Sequence, residues 1–448
     1  MKKLKLAGAC LNQTPFDWSH NKKNILNAIQ SAQSKSIELL CLPELCITAY
    51  GCEDMFLSEW LPKSALNLLI EIIPNTKNIA VAIGLPLSFE HKLYNAVCLI
   101  ENKTIKGFYC KQILANEGVH YETRWFTPWE PQRVENITIN GETYPLGDIT
   151  FDCKGIKIGF EICEDAWHEN RRPAINYKKQ SIDLILNPSA SHFAFNKAEF
   201  REELVRKSSD KYNCVYLYTN LLGNEAGRLI YDGDIIFAQK GKIIQRNKRL
   251  SFKNLNVCEF IVDFDNNTPT EIDRLSLTRE EEFTQASSLA LFDYLRKSWS
   301  NGFVLSLSGG ADSSTCAILV SEMYKRANKE LSADGFKKKL PHIEFKTKGL
   351  KQLFTCAYQG TKNSTEETFE AAHELAKEIN ANFHVWKIDD EVNSYTQKVE
   401  KALGRKLNWE TDDISLQNIQ ARSRSPIIWM FANIHNCLLY TSPSPRDA

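Results

Sequence analysis

No apolar run in this sequence is long enough to cross a bilayer; the one around Leu39–Leu42 stops at Pro43. There is no net charge either, because 55 Lys and Arg balance 55 Asp and Glu. That balance removes the global basic field that draws a chain to nucleic acid or anionic lipid. Thirteen cysteines include no CxxC pair of the kind that holds zinc or exchanges disulfides. Their odd number and wide spacing suit buried thiols in a reducing cytoplasm. A Gly-Lys-Ser/Thr phosphate loop is also missing. The Met1-Lys2-Lys3 start imitates a secretory leader, but Lys5 and Asn12-Gln13 interrupt the apolar stretch too early, so a buried first strand is expected there. Together these absences predict a soluble, cytoplasmic protein whose partners are small molecules, with no nucleic acid and no membrane.

What is present is ordinary globular composition: 448 residues, 43% hydrophobic and 25% charged, enough for two or three domains with cores of their own. Up to about Asp265, short β-type runs alternate with helical stretches. Leu4–Leu11 and Leu39–Leu42 read as strands, and Lys22–Lys35 carries Ile25, Ala28, Ile29 and Ala32 at helical spacing. Asn266-Asn267-Thr268-Pro269 punctuates the chain. A second α/β region follows, with a helix over Glu280–Lys297, a strand over Phe303–Leu307 and helices over Ser313–Asn328, Thr365–Ile379 and Ser415–Asn433. The lysine-rich stretch Lys329–Lys351 reads as a mobile surface insertion. The expected organisation is thus a domain over 1–265, a linker over 266–285, a second domain over 286–436, and a tail over 437–448 that is Ser/Pro-rich from Tyr440 onward.

Two constellations carry chemistry. In the first, the strand Ile156–Phe160 runs into Glu161-Ile162-Cys163-Glu164-Asp165, which puts a thiol at the carboxyl end of a strand, on a turn into a helix. Helix-start amides and a nearby amine would favour its thiolate. By spacing alone, Cys163 suits an inert buried thiol far better than a nucleophile. The segment Gly159–Asp165, however, resembles the nucleophile motif of the nitrilase (carbon–nitrogen hydrolase) superfamily. Leu42-Pro43-Glu44-Leu45 resembles the segment with its general base, and Tyr109-Cys110-Lys111-Gln112 the one with its lysine. The resemblance implies an α-β-β-α sandwich in which Glu44, Lys111 and Cys163 are catalytic. Within the superfamily, Tyr121-Glu122-Thr123-Arg124-Trp125-Phe126 and Asn187–Phe193 with Lys197 are similar to the glutaminase domain of the glutamine-dependent NAD synthetase family. That similarity implies Glu122 as a supporting carboxylate and Ser191 and Lys197 as residues holding glutamine. Glu117 stands where the family often has a glutamine-binding tyrosine.

In the second, the strand Phe303–Leu307 leads through Ser308-Gly309-Gly310-Ala311-Asp312-Ser313-Ser314 into a helix. Glycine amides, hydroxyls and a helix start make an anion cradle; an ordinary tight turn is the plainer reading of the same residues. The segment resembles the pyrophosphatase loop of N-type ATP pyrophosphatases, on an incomplete doubly wound parallel-sheet domain of the adenine nucleotide α-hydrolase type. The resemblance implies ATP binding by Ser306, Leu307, Ser308, Gly309, Gly310, Ala311, Asp312, Ser313 and Ser314, with Asp312 holding Mg2+. Leu416–Arg424 is similar to the asparagine–glutamine–arginine helix of the NAD synthetases, which implies Asn418 and Arg422 as ligands of deamido-NAD. The implied reaction is glutamine hydrolysis followed by ATP-dependent amidation of deamido-NAD by a homo-oligomer. A glutaminase or amidase with an inert second domain, and a non-catalytic nucleotide-binding subunit, are the rival readings. The resemblance is expected to end near residue 436, short of the glutamate-containing segment with which the family continues.

Overall fold

The computed structural model describes residues 2–441 apart from 267, 274–276 and 347–348. Two compact units divide between Ala290 and Leu291.

The first unit is built on two sheets. One has eight strands in the order Leu255–Asp263, Lys3–Leu11, Leu39–Cys41, Ala80–Phe89, Lys92–Glu101, Thr104–Cys110, Glu142–Gly147, Val134–Ile139. The other has six, in the order Lys242–Arg246, Ile235–Gln239, Val215–Asn220, Leu184–Ser189, Ile156–Phe160, Phe151–Cys153. The Lys3–Leu11 strand shows why they stack. From Leu6 to Leu11 every residue is buried, so both faces are covered, one by helices and the other by the second sheet. It packs against Val215–Asn220 and Ile235–Gln239 of the six-stranded sheet. Helices Trp18–Ser34 and Trp60–Ile72 lie on the eight-stranded sheet, and Lys197–Lys211 on the six-stranded one. The expected α-β-β-α sandwich is the result. Trp18–Ser34 buries Ile25, Ala28, Ile29 and Ala32, the stripe read from the sequence, and Asp17 caps it by accepting from the amide of His20.

In the second unit, four parallel strands are ordered Asn382–Lys387, Phe354–Gly360, Phe303–Ser306, Leu438–Leu439. Helices Ala311–Lys338, Glu366–Glu378, Asp389–Leu403 and Asp413–Ile434 accompany them, and Arg279–Lys297 crosses the division between the units. Two expectations need correction. The lysine-rich stretch is not simply an insertion, because its first ten residues continue the helix to Lys338 past a break at Ser332. Phe336 is buried there, 5.6 Å from the Phe292 ring, and that packing outweighs the surrounding lysines. The turn after Cys163 enters a short 3-10 segment, Cys163–Trp167, before any α-helix. Leu438–Leu439, at the start of the tail, form a strand on Phe303–Val304; residues 442–448 lie outside the described residues. All thirteen cysteines are free. No helix among the described residues is long and apolar enough to cross a membrane.

One glycine fixes how the first site is approached. A Cβ on Gly84 would lie 2.5 Å from the amide nitrogen of Leu45, 2.6 Å from the carbonyl oxygen of Pro43 and 2.9 Å from the carbonyl carbon of Glu44. Those atoms are backbone and cannot swing aside. Gly84→Ala should therefore lower unfolding stability by about 1–3 kcal/mol through overpacking. Urea unfolding of the two proteins measures it, and an unchanged midpoint would show that the Pro43–Leu45 segment yields freely.

Candidate active site

Three strand ends of the first unit converge on one buried charge cluster. Glu44 follows the Leu39–Cys41 strand, Lys111 follows Thr104–Cys110, and Cys163 follows Ile156–Phe160. Lys111 Nζ lies 2.6 Å from Glu44 Oε1 and 2.8 Å from Glu122 Oε2, with all three side chains shut off from solvent. Glu44 also accepts from the Asn95 side-chain amide at 2.7 Å and from the Ala190 backbone amide at 2.8 Å. Glu122 accepts from the Tyr50 hydroxyl at 2.7 Å and from the Ala115 amide at 3.1 Å. Charges so buried persist only because each is paired and hydrogen-bonded.

The protonation states follow. Burial disfavours the Lys111 cation, but Glu122 and Glu44 outweigh it and hold its pKa above the ordinary lysine value. Burial raises the Glu44 carboxyl, and Lys111 offsets this only in part. Burial, reinforced by Glu44, also raises the Cys163 thiol despite the lowering effect of Lys111. Cys163 therefore rests as a thiol, contrary to the expectation of a favoured thiolate, because the short 3-10 turn supplies too little dipole to offset a buried anion beside Glu44. The turn itself is tight: Cys163 has φ 44°, and Leu45, beside Glu44, has φ 49°.

Asp165 joins two of the three segments. Its Oδ1 accepts from the amides of Gln112 at 3.0 Å and Ile113 at 2.7 Å, directly after Lys111. Its Oδ2 accepts from the Ile162 amide at 2.9 Å, directly before Cys163. Glu161 anchors the other side, accepting from Arg172 Nε at 2.9 Å, while its carbonyl accepts from Asn187 Nδ2 at 2.7 Å. Ser191 is buried, with its backbone held by Asn220 at 2.8 and 2.9 Å. Lys197 opens its helix and approaches His192 at 3.1 Å. Glu117 is exposed and is not among the residues lining a cleft of about 200 Å³ formed by Tyr50, Glu53, His120, Tyr121, Arg228 and Tyr231, among others. Sequence reading missed Tyr50, Asn95, His120 and Asp165. Asp165 lay inside the nucleophile motif, whereas the others come from loops and a strand with no local signature.

In the second unit a cleft of about 490 Å³ opens at the carboxyl ends of the strands, lined by Ser306, Ser308, Gly310, Asp312, Ser313 and Arg424, among others. Gly309 has φ 80°, and a Cβ on it would collide with the Thr368 carbonyl, so glycine is required where the loop passes that helix. The Ser308 and Ser313 hydroxyls are 3.0 Å apart where the loop enters the helix Ala311–Lys338. Leu307 is buried behind the loop, and Ser314 lies in the first helical turn. Arg424 donates to the Gln359 carbonyl at 3.1 Å. Asn418 and Arg422 are exposed and do not line this cleft. Asp312 places one carboxylate at the cleft, a donor that fits Mg2+, which takes one or two carboxylates and completes its shell with phosphate and water. Among the described residues no group of three or more His, Cys, Asp or Glu could hold a metal alone.

Residues 5–259 match the carbon–nitrogen hydrolase family and residues 283–444 match NAD synthase, so the second match includes the Leu438–Leu439 strand. A crystal structure of a glutamine-dependent NAD(+) synthetase from Cytophaga hutchinsonii is 47% identical, with a TM-score of 0.91, over 99% of this chain and 75% of that one. The chain belongs to this family. The human glutamine-dependent NAD(+) synthetase is 28% identical over 97% of this chain and 70% of its own length. A structure of the Acinetobacter baumannii enzyme in complex with ADP shares the fold, with a TM-score of 0.81 at 21% identity over 100% of this chain and 76% of that one.

Replacing Asp165 by Asn keeps its size but puts an N–H₂ against backbone amides on one side. Losing such buried bonds costs about 1–3 kcal/mol, roughly ten- to a hundredfold in rate if it falls on the reacting geometry. Asp165→Asn should therefore slow amide hydrolysis to that degree while the circular dichroism spectrum is unchanged. Full activity in the variant would mean that the Cys163 and Lys111 segments hold their places unaided.

Proposed function

We infer that this chain hydrolyses glutamine in its first unit and amidates deamido-NAD in its second, at the expense of ATP. The observation that carries the reading is the buried Lys111, shared by Glu44 and Glu122 within the field of the Cys163 thiol. Glu44, with its raised pKa, takes the thiol proton as sulfur attacks the carboxamide carbon. Lys111, which stays charged, and the backbone amide after Cys163 stabilise the developing oxyanion. Glu44 then passes its proton to the departing ammonia, leaving a thioester on Cys163, and next draws a proton from the water that releases glutamate. Ser191 and Lys197 hold the amino-acid end of the substrate.

In the second unit the loop Ser308–Ser314, with Ser306 and Leu307 at the strand end, cradles the ATP phosphates through its amides and hydroxyls. Asp312 would hold Mg2+ there, where the cation neutralises phosphate charge. Ammonia attacking the adenylated carboxylate of deamido-NAD gives NAD, AMP and pyrophosphate. Arg424, turned toward the loop, is a better candidate for a charged contact in this cleft than the exposed Arg422. Asn418 and Arg422 would meet deamido-NAD outside it. A homo-oligomer in the cytoplasm fits the reading. The relatives carry both family regions, which favours the two-step reaction over a glutaminase with an inert partner domain.

Two outcomes test this. With deamido-NAD, ATP and Mg2+, NAD should form from glutamine or from ammonium. In Cys163→Ala, glutamate release should fall by roughly three orders of magnitude or more while ammonium-dependent NAD formation survives. Persistent glutamate release would refute the nucleophile. Independently, kcat/KM for glutamine should decline on the acid side above the ordinary carboxylate range, since lowering the pH through the raised Glu44 pKa protonates the base. An acid limb at the value of a free glutamate would show that Glu44 is not the group titrating.

A further inference from the structure

Lys197 is joined to the catalytic carboxylates by an unbroken line of side chains. Its Nζ lies 3.1 Å from Nδ1 and 3.4 Å from Nε2 of His192. His192 Nδ1 is 2.7 Å from Nε2 of His120, and His120 Nδ1 is 3.1 Å from the Tyr50 hydroxyl. Tyr50 in turn donates to Glu122 at 2.7 Å. Glu122 and Glu44 share Lys111.

Counting hydrogens gives this line a direction. A carboxylate only accepts and a tyrosine has one proton, so the Tyr50 oxygen must receive its second bond from His120 Nδ1–H. Burial and the nearby Lys197 and Lys111 lower the His120 pKa to about 4, and burial with Lys197 lowers that of His192 to about 4, so each ring carries a single proton at neutral pH. His120 Nε2 is then an acceptor, His192 Nδ1–H is its donor, and His192 Nε2 is left to accept from Lys197. Every bond points from Lys197 toward Glu122. Both tautomers are set by the anchoring carboxylate at the far end.

The loop that carries His120 explains its presence. Glu117, at the position where the family often has tyrosine, is exposed, while its carbonyl accepts from the His120 amide at 3.2 Å and that turn brings the imidazole inward.

We propose that His120 is a positioning residue for glutamine: by fixing the His192 ring it holds the Lys197 ammonium where the substrate's α-carboxylate binds. The inference rests on the glutaminase reading above. An ammonium has three donors, and one spent on His192 leaves two fixed in direction for the incoming carboxylate. Without His120, His192 loses its acceptor and is free to turn, and Lys197 loses its anchor. The side chains of His120, His192 and Lys197 take no part in the bond changes at Cys163, so the effect belongs in substrate binding.

Glutamate release by the whole chain, the His120→Ala and Lys197→Ala variants and their double variant tests this. His120→Ala should raise KM for glutamine about tenfold, the value of one buried hydrogen bond, with kcat changed less than about threefold. The double variant should be no worse than Lys197→Ala alone, because His120 acts through Lys197. A fall in kcat at constant KM, or multiplicative losses in the double variant, would overturn the proposal. Should the alanine variant fail to fold, His120→Asn carries the same expectation and the same refutation. Its amide can still donate toward Tyr50, but the shorter side chain puts no acceptor where the His120 Nε2 meets His192. Wild-type protein that releases no glutamate would instead refute the glutaminase reading itself.

Discussion

A lysine ammonium with no access to water, held between two carboxylates that have none either, is the constraint on which the first unit is built. Removing three charges from solvent costs several kcal/mol for each, recovered only when every lone pair and proton is matched. The match draws on separated parts of the chain: Asn95 and Ala190 on Glu44, Tyr50 and Ala115 on Glu122. None of these residues has to be reactive. Their common task is to make an ionic cluster tolerable where two sheets meet, and Gly84 permits it by letting the Glu44 segment lie directly on the sheet.

The two units answer the same problem, placing reactive groups reproducibly, in different ways. The first uses internal carboxylates as ties. Asp165 fastens the turn at Cys163 to the segment after Lys111, and Glu161 fastens it to Arg172 and, through its carbonyl, to Asn187. The second relies on backbone. Its loop is a strand end, a glycine at positive φ and a helix start, with hydroxyls supplying the remaining donors. A site for a neutral amide needs placed charges, whereas a site for a polyanion needs amides and only a few charges.

Much of this was legible in the sequence, for reasons that differ between elements. The helix at Trp18–Ser34 announced itself through Ile25, Ala28, Ile29 and Ala32, since a one-sided apolar stripe has few alternatives. Glu44, Lys111, Cys163 and the serine–glycine loop stand out through their resemblance to family motifs, and the first three come together in one buried cluster. Tyr50, His120 and Asn95 were not found. Each contributes through partners 51 to 72 residues away in the chain, and no local pattern records such a distance. The protonation of Cys163 was misread because spacing reveals an adjacent turn but not the burial that outweighs it. The lysine-rich stretch misled because exposed charges on one side of a helix conceal an anchor such as Phe336 on the other.

The protonated resting thiol also bears on durability. Alkylating agents and peroxides attack thiolate, and their selectivity follows access and ionisation. Cys163 is only 7% exposed and holds its proton beside Glu44. A buried thiol that keeps its proton at rest is spared most adventitious damage. The other twelve thiols, eleven of them buried, have pKa values raised by burial for the most part and share the same protection. A chain with thirteen cysteines and no disulfide can thus keep its thiols intact without a dedicated guard.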